Sequence, residues 1–483
     1  MRVAIVGAGL GGLALGIRLQ AAGHQVTIFE ARNKPGGRAG QIVDAGYVFD
    51  TGPSVVTLPE LIHELFALAG RRLEDELELV PLEPFYRLYF ADGEHFDYDG
   101  DAERMKAEIA RFSVADASRY DAFFRHAGRI YERAVVELGD KPFLRFGDFA
   151  RIVPSMLWLR ALRPVTSTVG AYFKEPHVFR AFSFQPLFIG GNPFTVPSIY
   201  AMFPFLERAG GVHFFMGGMF RLVEALARMF ESLGGELRLG CPVEHITVRD
   251  GRVDGIETGA GFEPADAVVS NADVGHTLNH LLGQPVSRQW RWSMSCFLLF
   301  LGTNRVFPKL RHHTIVFCER YRELVGDIID RQVLPNDFSM YIHAPARTDP
   351  SMAPSGGDSI YVLVPVPNLA GGVNWQAEGP RFRDRLLDFL EGDFGLEGLR
   401  ESIVVEHALT PDAYFSGELR STLGNAFQLQ PLLTQSAYFR PHCVHPTIRG
   451  MYFVGAGTHP GPGVPGVLLS ARMVAGVIGS GSA

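Results

Sequence analysis

MRVAIVGAGLGGLALGIRLQAAGHQVTIFE, residues 1–30, opens with a short Val/Ile strand that runs straight into Gly7-x-Gly9-x-x-Gly12 and then a helical pattern. Gly7 permits the tight turn, Gly9 lets the backbone approach a pyrophosphate, and Gly12 lets the helix lie close to the strand. The helix start offers free N–H groups and a positive dipole end to phosphates. A second strand at Gln25–Phe29 ends at Glu30, where an acid accepts ribose hydroxyls. Strand, glycines, helix, strand and acid in this order predict a site for an ADP-containing dinucleotide. A secretory leader also starts with a basic residue and an apolar run. The phosphate-spaced glycines, Arg18 inside the run and the strand ending in Glu30 have no role in such a leader.

The 483 residues predict two or three domains. A net charge of −7 without a basic block argues against nucleic acid as a partner. Four scattered cysteines, Cys241, Cys296, Cys318 and Cys443, have no CxxC spacing, so neither a disulfide framework nor a metal site is expected. Reduced thiols in a cytoplasmic setting follow. No apolar run approaches the ~20 residues that span a bilayer. Yet 47% of residues are hydrophobic and 37 are Phe, a surplus suited to lining a cavity or facing a membrane.

After Glu30 the loop NKPGGRAG carries Arg38, well placed to pair with a phosphate. Helical spacing at 59–70 is followed by strand-like pieces at 84–90 and 95–98. Residues 101–210 read as mostly helical, and 153–172 join Met156, Leu157, Trp158, Leu159 and Leu162 to Arg160 and Arg163, with Arg151 just ahead. That face suits an interfacial helix or a core helix with snorkelling arginines. From 211 the α/β character returns, with an amphipathic helix at 220–233, a hairpin at Asp250-Gly251 and a buried strand before Ser270-Asn271-Ala272-Asp273. Strands dominate 292–438. The expected architecture is α/β: a Rossmann-like dinucleotide-binding domain from discontinuous segments 1–95, 211–290 and 440–483, a helical insertion at 96–210 that is membrane-associated if its apolar face is interfacial, and a mixed-sheet substrate domain at 291–439.

The final motif runs from strand 451–454 into Gly455-Ala456-Gly457-Thr458-His459-Pro460-Gly461-Pro462-Gly463-Val464-Pro465-Gly466 and a closing helix. Its spacing and three prolines do not suit a second nucleotide fingerprint. A rigid loop approaching a flavin does suit it. One nucleotide site and no second implies a cofactor that stays bound, which fits FAD.

The chain resembles the bacterial phytoene desaturases of the flavin amine oxidase superfamily over nearly its full length. The stretches that carry the resemblance are GAGLGGLALGIRLQAAG (7–23), NKPGGRAG (33–40), FDTGPSVVT (49–57), EPFYRLY (83–89), FIGGNPF (188–194), SNADVGHT (270–277), YIHAPARTDPSMAP (341–354), LTQSAYFRPH (433–442) and VGAGTHPGPGVPGV (454–467). The resemblance implies an FAD enzyme bound peripherally to the cytoplasmic membrane that desaturates phytoene stepwise to lycopene or neurosporene, with quinone or oxygen as electron acceptor. It also implies FAD contacts from Gly7, Gly9, Gly12, Glu30, Arg38, Val243, Asp273 and the 455–466 loop, including Gly455, Gly457 and Gly466. Phytoene has no polar handle, so recognition rests on apolar burial, about 25 cal/mol per Å². Hydride loss to flavin leaves a conjugated cation that must also lose a proton. Asp148 and Arg151 are candidates for proton transfer or cation balance, with a surface ion pair as the alternative. His459 is a candidate base or a simple turn contact. A carotene isomerase, a desaturase of another carotenoid, an amine oxidase and a non-enzymatic binder of prenylated proteins are the competing readings.

Overall fold

In the computed structural model, which describes residues 1–479, Arg2–Val6 is the middle strand of a five-stranded parallel sheet. Gln25–Phe29 and Glu236–Arg238 lie on one side of it, Ala267–Ser270 and Met451–Phe453 on the other. Three stretches far apart in sequence thus build one sheet. The helix Leu10–Ala21 is apolar almost all round because it is sandwiched: Leu13, Ala14 and Ile17 are fully buried against the sheet, Phe220–Ser232 and Val464–Gly479. Gly16 makes this possible, since a Cβ there would come within 2.9 Å of Ile28 and 3.0 Å of Phe230.

Between Glu236–Arg238 and Ala267–Ser270 the chain makes a three-stranded antiparallel meander, Val243–Arg249, Arg252–Thr258 and Gly261–Pro264. Its first turn is the expected two-residue hairpin, with Asp250 and Gly251 both at positive φ (53° and 70°).

The second large sheet is mixed and seven-stranded, in the order Ile403–Leu409, Ser295–Thr303, Asp358–Val366, Met340–His343, His313–Val316, Tyr86–Tyr89, His95–Tyr98. One pairing, His313–Val316 with Tyr86–Tyr89, is parallel. Tyr86–Tyr89 and His95–Tyr98 belong to this sheet, although the sequence reading groups residues up to 95 with the dinucleotide segments. Both faces of Ser295–Thr303 are buried, so its run SCFLLFLGT is continuously apolar where a half-exposed strand would alternate. Phe297, Leu299 and Leu301 pack with Trp375, Phe382 and Leu386 of the helix Trp375–Glu391. Cys296, Leu298 and Phe300 face a larger aromatic cluster.

That cluster joins the sheet to helices between residues 102 and 210, including Ala102–Phe112, Tyr120–Tyr131 and Phe203–Gly210, while Phe146–Trp158 packs Ile152 and Met156 in a smaller cluster with Ile130 and Phe143. The 153–172 stretch is not one continuous helix. Phe146–Trp158 stops, Arg160 takes φ 54°, and Val165–Val169 starts afresh after Pro164. Pro164 supplies no N–H and pushes its predecessor out of helical conformation. Among the described residues no helix is long and apolar enough to cross a membrane.

Candidate active site

The glycine turn, the 33–40 loop and the C-terminal loop meet at one place. Gly7 takes φ 98° and donates its N–H to the Phe29 carbonyl at 2.8 Å. A Cβ on Gly12 would lie 2.2 Å from the Gly7 oxygen, and one on Gly9 2.8 Å from Asn271 Nδ2. The Gly36 N–H bonds to the Ala8 carbonyl at 2.8 Å, which seats the loop carrying Arg38 directly on the turn. Glu30 is buried. Its Oε2 accepts the Ala8 N–H at 2.8 Å and its Oε1 the Arg32 N–H at 3.0 Å, leaving lone pairs for ribose hydroxyls.

Arg38 points inward. One Nη2 bond reaches Ser421 Oγ at 2.8 Å, while its buried Nε has no partner. Burial depresses the guanidinium pKa, and nearby Asp273 works in the opposite direction. Asp273 caps the short turn Val274–His276 through the His276 N–H at 2.9 Å and also accepts from Thr422 at 2.5 Å and Asn425 at 3.1 Å. Val243 starts its strand buried, beside the same space. Gly455, at φ 93°, and Gly466, where a Cβ would lie 2.5 Å from the Gly461 oxygen, shape the C-terminal loop, and Gly457 lines the space it encloses.

Two residues not singled out from sequence hold these loops together. Asn271 donates Nδ2 to the Gly7 oxygen at 3.3 Å, and its Oδ1 sits where a Cβ on Gly11 or Gly455 would go, at 2.7 and 2.6 Å. Arg440, fully buried, donates to the carbonyls of Ala456 at 2.7 Å, Thr458 at 3.1 Å and Gln435 at 3.4 Å. Burial pushes its pKa down to about 10, so it stays charged. Both lie in motifs read from sequence, SNAD and YFRPH. What marks them, a polar side chain reaching a distant backbone, is absent from local pattern.

From the cradle a cavity of about 600 Å³ extends between the seven-stranded sheet and the helices. Cys296, Leu298, Tyr341 and Tyr361 line it from the sheet, Phe184 and Phe188 from the middle, and Phe149, Ile152 and Met156 from the helix Phe146–Trp158. His459 lines it too. Both ring nitrogens lack partners, Phe143 meets the ring edge-on at 5.2 Å, and burial with nearby Arg440 pushes the imidazole down to about 3, so it is neutral. Asp148 and Arg151 are not brought to this cavity. They pair with each other at 3.4 Å on the outer face of their helix, with Arg151 82% exposed.

Polar groups also punctuate the wall. Tyr86 donates to Glu207 Oε1 at 3.0 Å. Tyr341 bonds to Ser54 Oγ at 2.5 Å and to His313 Nδ1 at 2.7 Å, and behind it His343 and His312 share a 3.1 Å contact between Nε2 atoms. Burial holds these three histidines far below the usual imidazole range, so they too are neutral.

A glycine cradle with no room for side chains, an acid at the second strand's end and an unpartnered buried guanidinium nitrogen fit a dinucleotide with a charged pyrophosphate. With one such cradle among the described residues, opening into a mostly apolar cavity, the class defined is a flavin-dependent oxidoreductase that binds FAD. Residues 10–479 match the profile of flavin containing amine oxidoreductases. The chain is 44% identical to the lycopene-forming phytoene desaturase of Pseudescherichia vulneris, covering 99% of each. It is 42% identical to the neurosporene-forming phytoene desaturase of Rhodobacter capsulatus, covering 99% of this chain and 94% of that one. It therefore belongs to the bacterial phytoene desaturases within the flavin-containing amine oxidoreductases. The fold is shared with an oxidoreductase from Methanosarcina mazei (TM-score 0.67, 17% identity, 98% of this chain and 99% of that one). It is shared as well with cyclohexylamine oxidase from Brevibacterium oxydans (TM-score 0.62, 15% identity, 100% and 99%).

Proposed function

We propose that the protein desaturates phytoene in successive steps to lycopene or neurosporene, with bound FAD as the immediate oxidant and quinone or oxygen as the final acceptor. The observation that carries this is the cavity that starts at the dinucleotide cradle and runs on between walls made mostly of apolar and aromatic side chains, among them Leu298, Phe184, Phe188, Ile152 and Met156. A long polyene gains affinity there from burial alone. FAD, when bound, accepts hydride from an allylic C–H bond; the chain's own residues hold it and exclude water.

In this reading Gly7, Gly9, Gly12 and Glu30 cradle the adenosine side and Arg38 neutralises pyrophosphate. Asp273, Val243 and the 455–466 loop shape the flavin side. The segments 1–95, 211–290 and 440–483, apart from the strand Tyr86–Tyr89, act as the FAD-binding domain, and 291–439, with Tyr86–Tyr89 and His95–Tyr98 in its sheet, as the substrate domain. The helical segment 96–210 docks on the cytoplasmic membrane, since Phe146, Leu157 (60% exposed) and Trp158 (70%) face outward from the same helix that lines the cavity with Phe149, Ile152 and Met156. Substrate then passes from lipid to cavity without crossing water. The outward Asp148–Arg151 pair sits on that docking face.

Reconstitution tests the reading. Protein, FAD and phytoene-loaded liposomes with a quinone or oxygen are expected to yield red product. A change in substrate geometry without hydrogen loss would instead establish a carotene isomerase.

A further inference from the structure

Desaturation removes a hydride and a proton, and FAD takes only the first. Four carboxyl residues line the cavity among the described residues: Glu30, Glu207, Asp273 and Glu418. Glu30 and Asp273 have both oxygens engaged by protein donors. Glu418 is exposed to water. Glu207, on the helix Phe203–Gly210, is 4% exposed, holds Tyr86 through Oε1 and leaves Oε2 buried without a partner. Its helix neighbours Phe203 and Leu206 line the same cavity.

We propose that Glu207 accepts the substrate's proton, through its free Oε2, in each desaturation. This rests on the carotene desaturase reading above. As one allylic carbon lost its hydride to the FAD that the cradle would hold, the adjacent C–H bond would give its electron pair to the new C=C bond and its proton to Oε2. The resulting acid releases that proton to water before the next step. An unpaired carboxylate oxygen beside a hydrocarbon cation both stabilises the charge and removes the proton, a role worth about 10²–10⁴-fold in rate.

The surroundings set when the group is ionised. Burial pushes Glu207 up to about 8, against the pull of Tyr86, Tyr98 and Gln185. The facing phenols of Tyr86 and Tyr98 are raised well above 10, and His313, 5.7 Å from the Tyr86 ring, is neutral. Arg208, the neighbouring cation, lies over Phe124 and Tyr120 and not on the carboxyl. Activity that needs the carboxylate therefore rises as pH passes about 8.

The test uses the FAD-loaded enzyme with phytoene liposomes. Glu207→Gln keeps volume and an acceptor for Tyr86. It is expected to slow red-product formation about 100-fold or more, to leave KM and the flavin spectrum unchanged, and to abolish the rise near pH 8, with Glu207→Asp restoring part of the rate. Infrared titration of the resting enzyme is expected to show a buried carboxylic-acid band that ionises near pH 8 and is missing from Glu207→Gln. Wild-type rate or an unchanged pH profile in Glu207→Gln overturns the proposal. If Glu207→Gln fails to take up FAD, the infrared titration and Glu207→Asp decide: no carboxyl ionising near pH 8 in wild type, or a wild-type profile in Glu207→Asp, overturns it. Absence of red product from the wild type is a different failure, that of the desaturase reading itself.

Discussion

At the scale of single residues the site is held by buried cations, Arg440 bonded to backbone carbonyls and Arg38 with a nitrogen left unpaired. Arg38 has its Nε free in a place where water does not reach. A lysine offers a point charge without the planar fork, so Arg38→Lys is expected to weaken FAD binding by at least about tenfold, or about 1.4 kcal/mol. Titration of apoprotein followed by flavin fluorescence checks this, and unchanged affinity would remove Arg38 from the phosphate site. Arg440 binds the carbonyls of Ala456 and Thr458 in the C-terminal loop and that of nearby Gln435. Hydrogen bonds to a charged group contribute about 1.5–3 kcal/mol each, so Arg440→Met is expected to lower the thermal midpoint and to shed FAD on gel filtration. Retained FAD with a lowered midpoint would show that Arg440 supports the fold and not the loop.

At the scale of elements, the helix Phe146–Trp158 presents two different faces. Ile152 and Met156 close the cavity, while Leu157 and Trp158 face solvent. An outward apolar pair beside arginines suits the lipid interface. Leu157→Glu is expected to reduce flotation with anionic liposomes while leaving FAD content intact. Equal flotation would exclude this helix as the docking element. The helix also explains why Asp148 and Arg151 are poor candidates for chemistry on geometry. Their spacing of three places them on one face, and that face points away from the cavity. Asp148→Asn is expected to alter flotation more than the rate of a single turnover, with equal loss of both pointing to a direct role.

At the scale of the whole molecule, Asp50 contributes a pH signature. It lies at the start of the helix Phe220–Ser232, accepts the Met219 N–H at 2.9 Å, and burial raises it to about 7. The folded state keeps a proton that the unfolded chain loses near pH 4, so this contribution to stability is full at low pH and is lost as pH rises through about 7. The apoprotein's midpoint should therefore fall between those values, and the fall should shrink in Asp50→Asn; an identical slope in the variant would assign the effect elsewhere.

Local pattern alone established the dinucleotide turn, the Asp250-Gly251 hairpin and the apolar strands. Each depends on residues within a few positions of one another, where sterics and periodicity act directly. The packing of Asn271 against Gly11 and Gly455 joins elements hundreds of residues apart, and Arg440 across the C-terminal loop and the outward orientation of Asp148 are likewise decided only when elements pack together. The burial of Glu207 Oε2 beside the cavity is decided in the same way. Burial and partner geometry are set when layers pack, and no spacing along the chain encodes which side chain will be left unpaired.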